Sequence, residues 1–167
     1  MSPGPNFVEV ARIGDAVLFR IHGLGNMLTS PAIWGLAERM LEEGISKFAF
    51  ELSDCTGLDS TFVGMLVGLS QRIKLLEQGG WICLTNPPPR VRQSLEVLGA
   101  SRFVNTRSGF PFDEIEMQRL DVEAVSPQKR LEVIRRAHRA LVEIDTENRE
   151  KFREILERLE AEMQEGS

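Results

Sequence analysis

The residues best suited to chemistry are three neighbouring polar side chains, Asp59, Ser60 and Thr61. They precede an amphipathic stretch, so we expect them at the start of a helix, where the first N–H groups lack partners within the helix. An exposed hydroxyl there is open to a kinase, and the helix dipole favours the added anion by about 0.3–1 kcal/mol. The same residue types are common helix caps. The spacing alone therefore predicts either a phosphorylation site or a simple cap.

Other kinds of site are less favoured by the sequence. His22 and His138 lie far apart with no Cys or Asp cluster near either, so no metal site and no cofactor is predicted. Cys55 and Cys83 are too far apart for a CxxC motif and are expected to be buried free thiols. A hydrolase would need a G-x-S-x-G elbow or a histidine base beside Ser60, and neither is evident. We therefore expect no enzyme, with a small α/β enzyme using residues 54–61 as the catalytic alternative.

The composition fits one domain with an appendage. The 167 residues are 42% hydrophobic and 27% charged, which excludes a collagen-like or wholly disordered chain. The net charge of −5 argues against direct DNA binding, because phosphate contacts need clustered cations. Without a signal-peptide pattern or an apolar run of about 18 residues, we expect a cytoplasmic protein with no membrane span.

Hydrophobic periodicity predicts the elements that position Ser60. Residues 54–59 are expected to form a polar loop between a buried strand and the helix of Ser60. The predicted order is strand, strand, helix, strand, helix, strand, helix, strand, which implies a mixed sheet with right-handed crossovers and covering helices. The strands are expected at residues 7–13, 16–22, 47–52, 81–85 and 103–104, and the helices over residues 30–43, 60–78 and 89–98.

The C-terminal part differs from the rest in charge and pattern. Residues 1–112 carry 10 acidic and 10 basic residues, whereas residues 113–167 carry 15 and 10, which places a boundary near 112–126. From Ser126 a helical pattern runs to about Gln164, with apolar ends and a polar middle. It permits one long helix with a weakened coiled-coil centre or two helices bent near residues 145–148. Residues 126–163 could then form a homodimer or pack on their own domain.

A family resemblance gives the site a specific interpretation. The stretch GLDSTFVGML, Gly57 to Leu66, resembles the D-S-[S/T]-x-[L/V]-G segment of bacterial anti-sigma factor antagonists, members of the STAS family. Residues 20–23 and 89–99 are similar to the second-strand turn and third helix of that family. The resemblance implies an α/β fold with a STAS-like mixed sheet of four to five strands and covering helices. We therefore expect a STAS domain at 1–112, a linker at 113–125 and a C-terminal helical extension at 126–167.

The resemblance also implies a mechanism and partners. Ser60 maps onto the family's phosphoacceptor, with Thr61 as a second candidate. The unphosphorylated protein would bind an anti-sigma serine kinase and free a sigma factor, the kinase would phosphorylate Ser60, and a PP2C-type phosphatase would reset it. Transcription would thus be regulated indirectly by partner switching. The expected partner-binding residues are Asn26, Leu58, Asp59, Thr61, Phe62 and Gly64.

Two residues depart from the family pattern. Phe62 stands where the family often has Gly, and it is expected to be either a core residue or a partner contact. Asn26 stands where the family's second-strand turn usually has Asp, which keeps hydrogen-bonding capacity and loses the charge. The alternative function is a constitutive STAS scaffold, or a subunit of a signalling or lipid-transport complex, in which Ser60 is not phosphorylated and only caps its helix.

Overall fold

The computed structural model of the protein describes residues 6–109 and 114–165. Its strands in chain order are β1 (Phe7–Ile13), β2 (Ala16–Gly25), β3 (Lys47–Glu51), β4 (Cys55–Leu58), β5 (Trp81–Thr85), β6 (Asn105–Arg107) and β7 (Gln118–Arg119). Its α-helices are α1 (Ser30–Glu42), α2 (Ser60–Leu76), α3 (Pro89–Val97), α4 (Pro127–Ile144) and α5 (Thr146–Glu165). A short 3₁₀ helix covers Ser101–Phe103.

The sheet is mixed, as the strand and helix pattern predicts. β1 and β2 form an antiparallel hairpin whose turn contains Gly14 with a φ of +60°, a conformation that glycine adopts without a steric penalty. β2, β3, β5 and β6 run parallel, so helices must carry the chain back between them. The strand order is β6-β5-β3-β2-β1-β7, and β4 pairs separately with β2. This arrangement confirms the predicted mixed α/β fold, and the sheet has seven strands among the described residues where four to five are expected.

Three details of the sheet differ from the expectation. The predicted polar loop at 54–59 contains β4, which pairs with the end of β2 at Gly23–Gly25. The last core strand is β6, just beyond the predicted residues 103–104, and β7 pairs with β1 inside the predicted linker. β4, β6 and β7 are two to four residues long and are defined by their backbone hydrogen bonds. Strands this short show no hydrophobic period in the sequence. The predicted boundary at 112–113 lies outside the described residues.

Aromatic side chains fill the core between the sheet and α2. Phe19 and Phe50 stack with ring centroids 5.1 Å apart, and the ring of Phe62 meets Phe50 edge-on at 6.1 Å. All three rings are fully buried. Cys55 and Cys83 are buried free thiols, as the sequence predicts. The first turn of α2 is therefore held against the sheet by the packing of Phe62.

The C-terminal segment forms two helices. Asp145 separates them in an extended conformation, with φ −150° and ψ 123°, and its Oδ1 accepts a hydrogen bond from the N–H of Glu147 at the start of α5. α4 packs on α2 and also contacts α1, while α5 packs on α4. We call α4 and α5 together the C-terminal helical pair. The pair folds back onto its own domain and covers one side of α2.

Candidate functional site

The carboxylate of Asp59 fixes the start of α2. The Asp59 N–H donates to the carbonyl of Gly25 at 2.9 Å, which places the residue beside the end of β2. Oδ1 accepts from the N–H of Phe62 at 2.8 Å and Oδ2 accepts from the N–H of Met27 at 2.9 Å. Burial raises the pKa of Asp59 above its usual value, although these N–H groups act in the opposite direction. One side chain thus caps α2 and holds the loop between β2 and α1.

Asn26 shapes the neighbouring loop. Its Oδ1 accepts from the N–H groups of Leu28 and Thr29, at 2.9 and 3.3 Å, and its own N–H donates to Oγ1 of Thr29 at 3.0 Å. These bonds form the turn that opens α1. Since Met27 lies between Asn26 and Leu28 and donates to Asp59, the two loops approach each other at the site. The structure therefore brings Asn26 and Asp59, two members of the predicted partner-binding set, close together.

Ser60 has a partner that sequence reasoning missed. Its Oγ lies 2.8 Å from Nε2 of His138, and Nδ1 of His138 lies 2.7 Å from the carbonyl oxygen of Ile134. A carbonyl oxygen only accepts, so Nδ1 carries the proton and Nε2 accepts the hydrogen bond from Ser60. His138 is 78 residues away along the chain and only 2% exposed. The sequence signal was its position on the regularly spaced inner face of the C-terminal helix, between Ile134 and Leu141.

Several predicted partner-binding residues are buried. Phe62 is fully buried in the core, as the first of its two predicted roles requires, and its part in partner binding stays a prediction. Thr61 is 3% exposed and Leu58 is 8% exposed, which leaves a kinase little access to the second candidate hydroxyl. Gly64 lies under α4: a Cβ at this position would stand 2.2 Å from the carbonyl oxygen of Ala137. These buried residues of the predicted set therefore support the start of α2 from the protein interior.

The accessible part of the site lies around the loop between β2 and α1. Ser60 and Asp59 are half-buried, and Asn26 is half-buried beside them. Leu24 at the end of β2 and Met27 and Leu28 in the loop are 44%, 47% and 48% exposed, which gives this part of the molecule an apolar surface. Met27 donates to Asp59, so the surface borders the residue that precedes Ser60.

Metal chemistry has no support in the described residues. His22 contacts Glu9 through Nε2 at 2.6 Å and stacks on the ring of Phe7. Within residues 6–109 and 114–165, no three His, Cys, Asp or Glu side chains group as metal ligands would. Among the helices described for this chain, none has the length and apolar character needed to cross a bilayer.

The buried His138 predicts a pH-dependent stability. Burial lowers the pKa of His138 below its usual value of 6.5, although the Ile134 carbonyl and the charge of Asp59 act in the opposite direction. The unfolded chain therefore binds a proton at a pH where the folded chain does not. This contribution to the free energy of unfolding is fully present above pH 6.5 and decreases as the pH falls through the lowered pKa. The slope for one proton is at most about 1.4 kcal/mol per pH unit.

Urea denaturation between pH 7.5 and 5.5 measures this effect. We expect wild-type protein to lose stability over that interval and His138→Phe to lose less, because phenylalanine keeps a ring there and cannot be protonated. Every other titratable side chain is present in both proteins, so their difference isolates His138. An identical pH dependence in the two proteins would contradict the assignment of a neutral His138.

Comparisons with known proteins agree on the fold. A family model for the STAS domain matches residues 7–111. A structure of TM1081 from Thermotoga maritima, described as a candidate anti-sigma factor antagonist, is similar with a TM-score of 0.54 and 22% identity; the match covers 60% of this chain and 86% of that one. The anti-sigma factor antagonist SpoIIAA in its unphosphorylated form gives a TM-score of 0.55 and 16% identity, with 62% and 88% of the two chains covered.

The phosphorylated form of the same protein, described as a Bacillus cell fate determinant, gives a TM-score of 0.52 at 16% identity, over 62% of this chain and 91% of that one. A search of curated protein sequences finds no match. At these identities the structural similarities establish the fold, and the family model covers more than half of the chain. The fold, the aspartate and serine at the start of α2 and the match over residues 7–111 lead to one conclusion: the chain belongs to the STAS domain family.

Proposed function

We propose that the protein is an anti-sigma factor antagonist that acts by partner switching in the cytoplasm, with Ser60 as its phosphoacceptor. The observation that carries the proposal is the position of Ser60, the first residue of α2, directly after the Asp59 cap and beside the loop of Asn26. Similar structures include SpoIIAA in both its unphosphorylated and its phosphorylated form. By analogy the partner is an anti-sigma serine kinase, and a PP2C-type phosphatase reverses the reaction.

Charge explains how phosphorylation would control binding. A phosphoserine adds about −1.5 to −2 charges at neutral pH. The charge would follow directly on the half-buried carboxylate of Asp59, which is bonded to the N–H of Met27 at the edge of the exposed apolar surface. Burying an uncompensated charge in a protein contact costs about 3–5 kcal/mol. At about 1.4 kcal/mol per tenfold, the affinity for a partner on this surface would fall by hundreds-fold or more.

Intact-mass measurement tests the proposal. Incubation with ATP and anti-sigma serine kinases from the same genome should add about 80 Da, the mass of one phosphate. Ser60→Ala should abolish the gain. Thr61→Val is the matched control, because it removes the adjacent buried hydroxyl and should leave the gain intact. The same gain in Ser60→Ala, or no gain either in the wild type or in a variant whose C-terminal helical pair is released, would show that Ser60 is not the phosphoacceptor.

A second function is favoured by one contact. The Ser60 hydroxyl is already bonded to the buried His138, as expected for a serine with a structural role. In that case the protein is a constitutive STAS scaffold or a subunit of a larger assembly, and phosphorylation has no part in its function. Pull-down of partners with Ser60→Ala and Ser60→Asp separates the two proposals: a scaffold binds equally well in both variants, whereas a switch loses binding in Ser60→Asp.

A further inference from the structure

The C-terminal helical pair lies over the residue that the proposed function requires to be modified. α4 contributes the buried side chains Val133, Ile134 and Leu141 to the protein interior. Its backbone approaches α2 closely at Gly64, where the absence of a side chain makes room for the carbonyl of Ala137. The two helices therefore fit closely at this contact. The chain's own extension occupies this surface of the STAS domain.

His138 extends that interface to Ser60. Its Nε2 accepts the hydroxyl proton of Ser60 in a hydrogen bond, and the ring of Phe152 from α5 packs edge-on against it at 4.8 Å. Both helices of the pair thus contribute side chains to the contact around Ser60. Asn148 adds a third attachment, since its Nδ2 donates to the carbonyls of Leu98 and Leu141 at 2.9 and 2.8 Å.

We propose that the C-terminal helical pair is an intramolecular cover of Ser60, and that docking of the pair and phosphorylation of Ser60 exclude each other. The 2.8 Å hydrogen bond between Oγ and Nε2 engages the hydroxyl proton that phosphoryl transfer must remove, and a phosphoryl group does not fit between these two atoms. In phosphoryl transfer a bond forms between Oγ and the γ-phosphorus of ATP, and the bond from that phosphorus to the bridging oxygen of ADP breaks. The hydroxyl proton leaves to a base of the kinase. While α4 is docked, Ser60 is half-buried and its hydroxyl proton is held by His138 rather than by a base of the kinase.

Thermodynamic linkage makes the relation reciprocal. If docking of the pair opposes the phosphate, then the phosphate opposes docking by the same factor. The rate of modification is reduced to the fraction of molecules in which the pair is released. A partner that binds the released pair, or competes for its surface on α2, would therefore set when Ser60 becomes available. The regulatory meaning of the cover rests on the function proposed above, whereas its existence is testable without a kinase.

Cysteine labelling at position 60 measures the cover directly. In the full-length Ser60→Cys protein, the rate of reaction with N-ethylmaleimide, followed by intact mass, reports the exposure of this position. Adding Gly64→Ala places a methyl group against the Ala137 backbone and should release the pair. Adding Gly35→Ala is the matched control, because that helical glycine has only the Arg39 side chain nearby, at 3.7 Å. Wild-type protein gives the background from the buried Cys55 and Cys83.

We expect Ser60→Cys/Gly64→Ala to react at least about tenfold faster than Ser60→Cys, and the Gly35→Ala combination to react at the unchanged rate. Hydrogen exchange should show faster exchange in α4 and α5 with the strands still protected. Should Gly64→Ala unfold the whole protein, Ala137→Glu replaces it, since it places a charge in the same contact without altering the STAS domain. If either variant is folded and position 60 is labelled at an unchanged rate, the proposal that the helical pair covers Ser60 is wrong.

Different results would contradict the proposed function and the proposed cover of Ser60. If neither wild type nor Gly64→Ala gains a phosphate from any kinase tested, the proposed function fails and the labelling rates still decide whether the cover exists. If both are phosphorylated at the same rate and position 60 is labelled equally fast in both backgrounds, the cover fails and the phosphoacceptor stands.

Discussion

Replacing Phe62 by alanine is expected to destabilise the protein by about 3–5 kcal/mol, the usual cost of emptying a buried aromatic site. Its ring is fully buried and packs edge-on against Phe50. It also lies over Gly25: a Cβ on that glycine would stand 2.8 Å from the ring. Loss of the ring should therefore loosen both the first turn of α2 and the end of β2. Urea denaturation at pH 7.5 measures the change.

Leu75→Ala is the matched control for this prediction. Leu75 belongs to the same helix, is 83% exposed, and also loses an apolar side chain on substitution. Its free energy of unfolding should change by less than about 0.5 kcal/mol. Similar losses in the two variants would show that Phe62 does not support the core. Weakened partner binding in a Phe62→Leu protein of near wild-type stability would reassign the ring to a partner contact.

Replacing Asn148 by alanine should cost about 2–6 kcal/mol, because two buried carbonyls, each worth about 1–3 kcal/mol, lose their donor. Those carbonyls belong to Leu98, after α3, and Leu141, near the end of α4. Asn148 is fully buried, so water cannot replace the lost bonds without entering the interface. We expect the loss to fall on the attachment of the C-terminal helical pair, with the sheet less affected.

Hydrogen exchange and urea denaturation together check this expectation. The amides of α4 and α5 should exchange faster in Asn148→Ala, while those of β2, β3 and β5 keep most of their protection. Arg149→Ala serves as the control, since the next residue of the same helix is exposed. Equal exchange of the pair in Asn148→Ala and wild type would mean that these two hydrogen bonds contribute little to docking.

The sequence predicted the sheet well where side-chain burial defines a strand. β1, β3 and β5 lie at or within one residue of the expected positions, because their alternating or continuous apolar residues reflect their burial. The sequence predicts a loop at β4 because Thr56 and Gly57 have no apolar pattern, and the pairing of β4 with β2 depends on backbone groups. The short strand β7 was missed for the same reason.

The site was predicted in part. Local signals, the aspartate and serine before an apolar helix, identified the Asp59 cap and the position of Ser60. The contact with His138 depends on how the C-terminal segment folds back, and that depends on a break at Asp145 which the helical pattern left open. Contacts between residues so far apart in the chain follow from tertiary packing. In a single sequence the signal for this packing is limited to the type of residue on the inner face of the helix, such as Ala137 and His138.

The helical pair follows the sheet and α2 along the chain, and this order has a consequence for newly made protein. Ribosomes build a chain from its amino end at about 5–20 residues per second, so the 40 or so residues of the pair take about 2–8 s to synthesise. The sheet and α2 are already synthesised by then, while α4 and α5 are still being translated. During those seconds every nascent molecule presents Ser60 without His138 beside it. An enzyme acting co-translationally would find a substrate that the finished protein conceals.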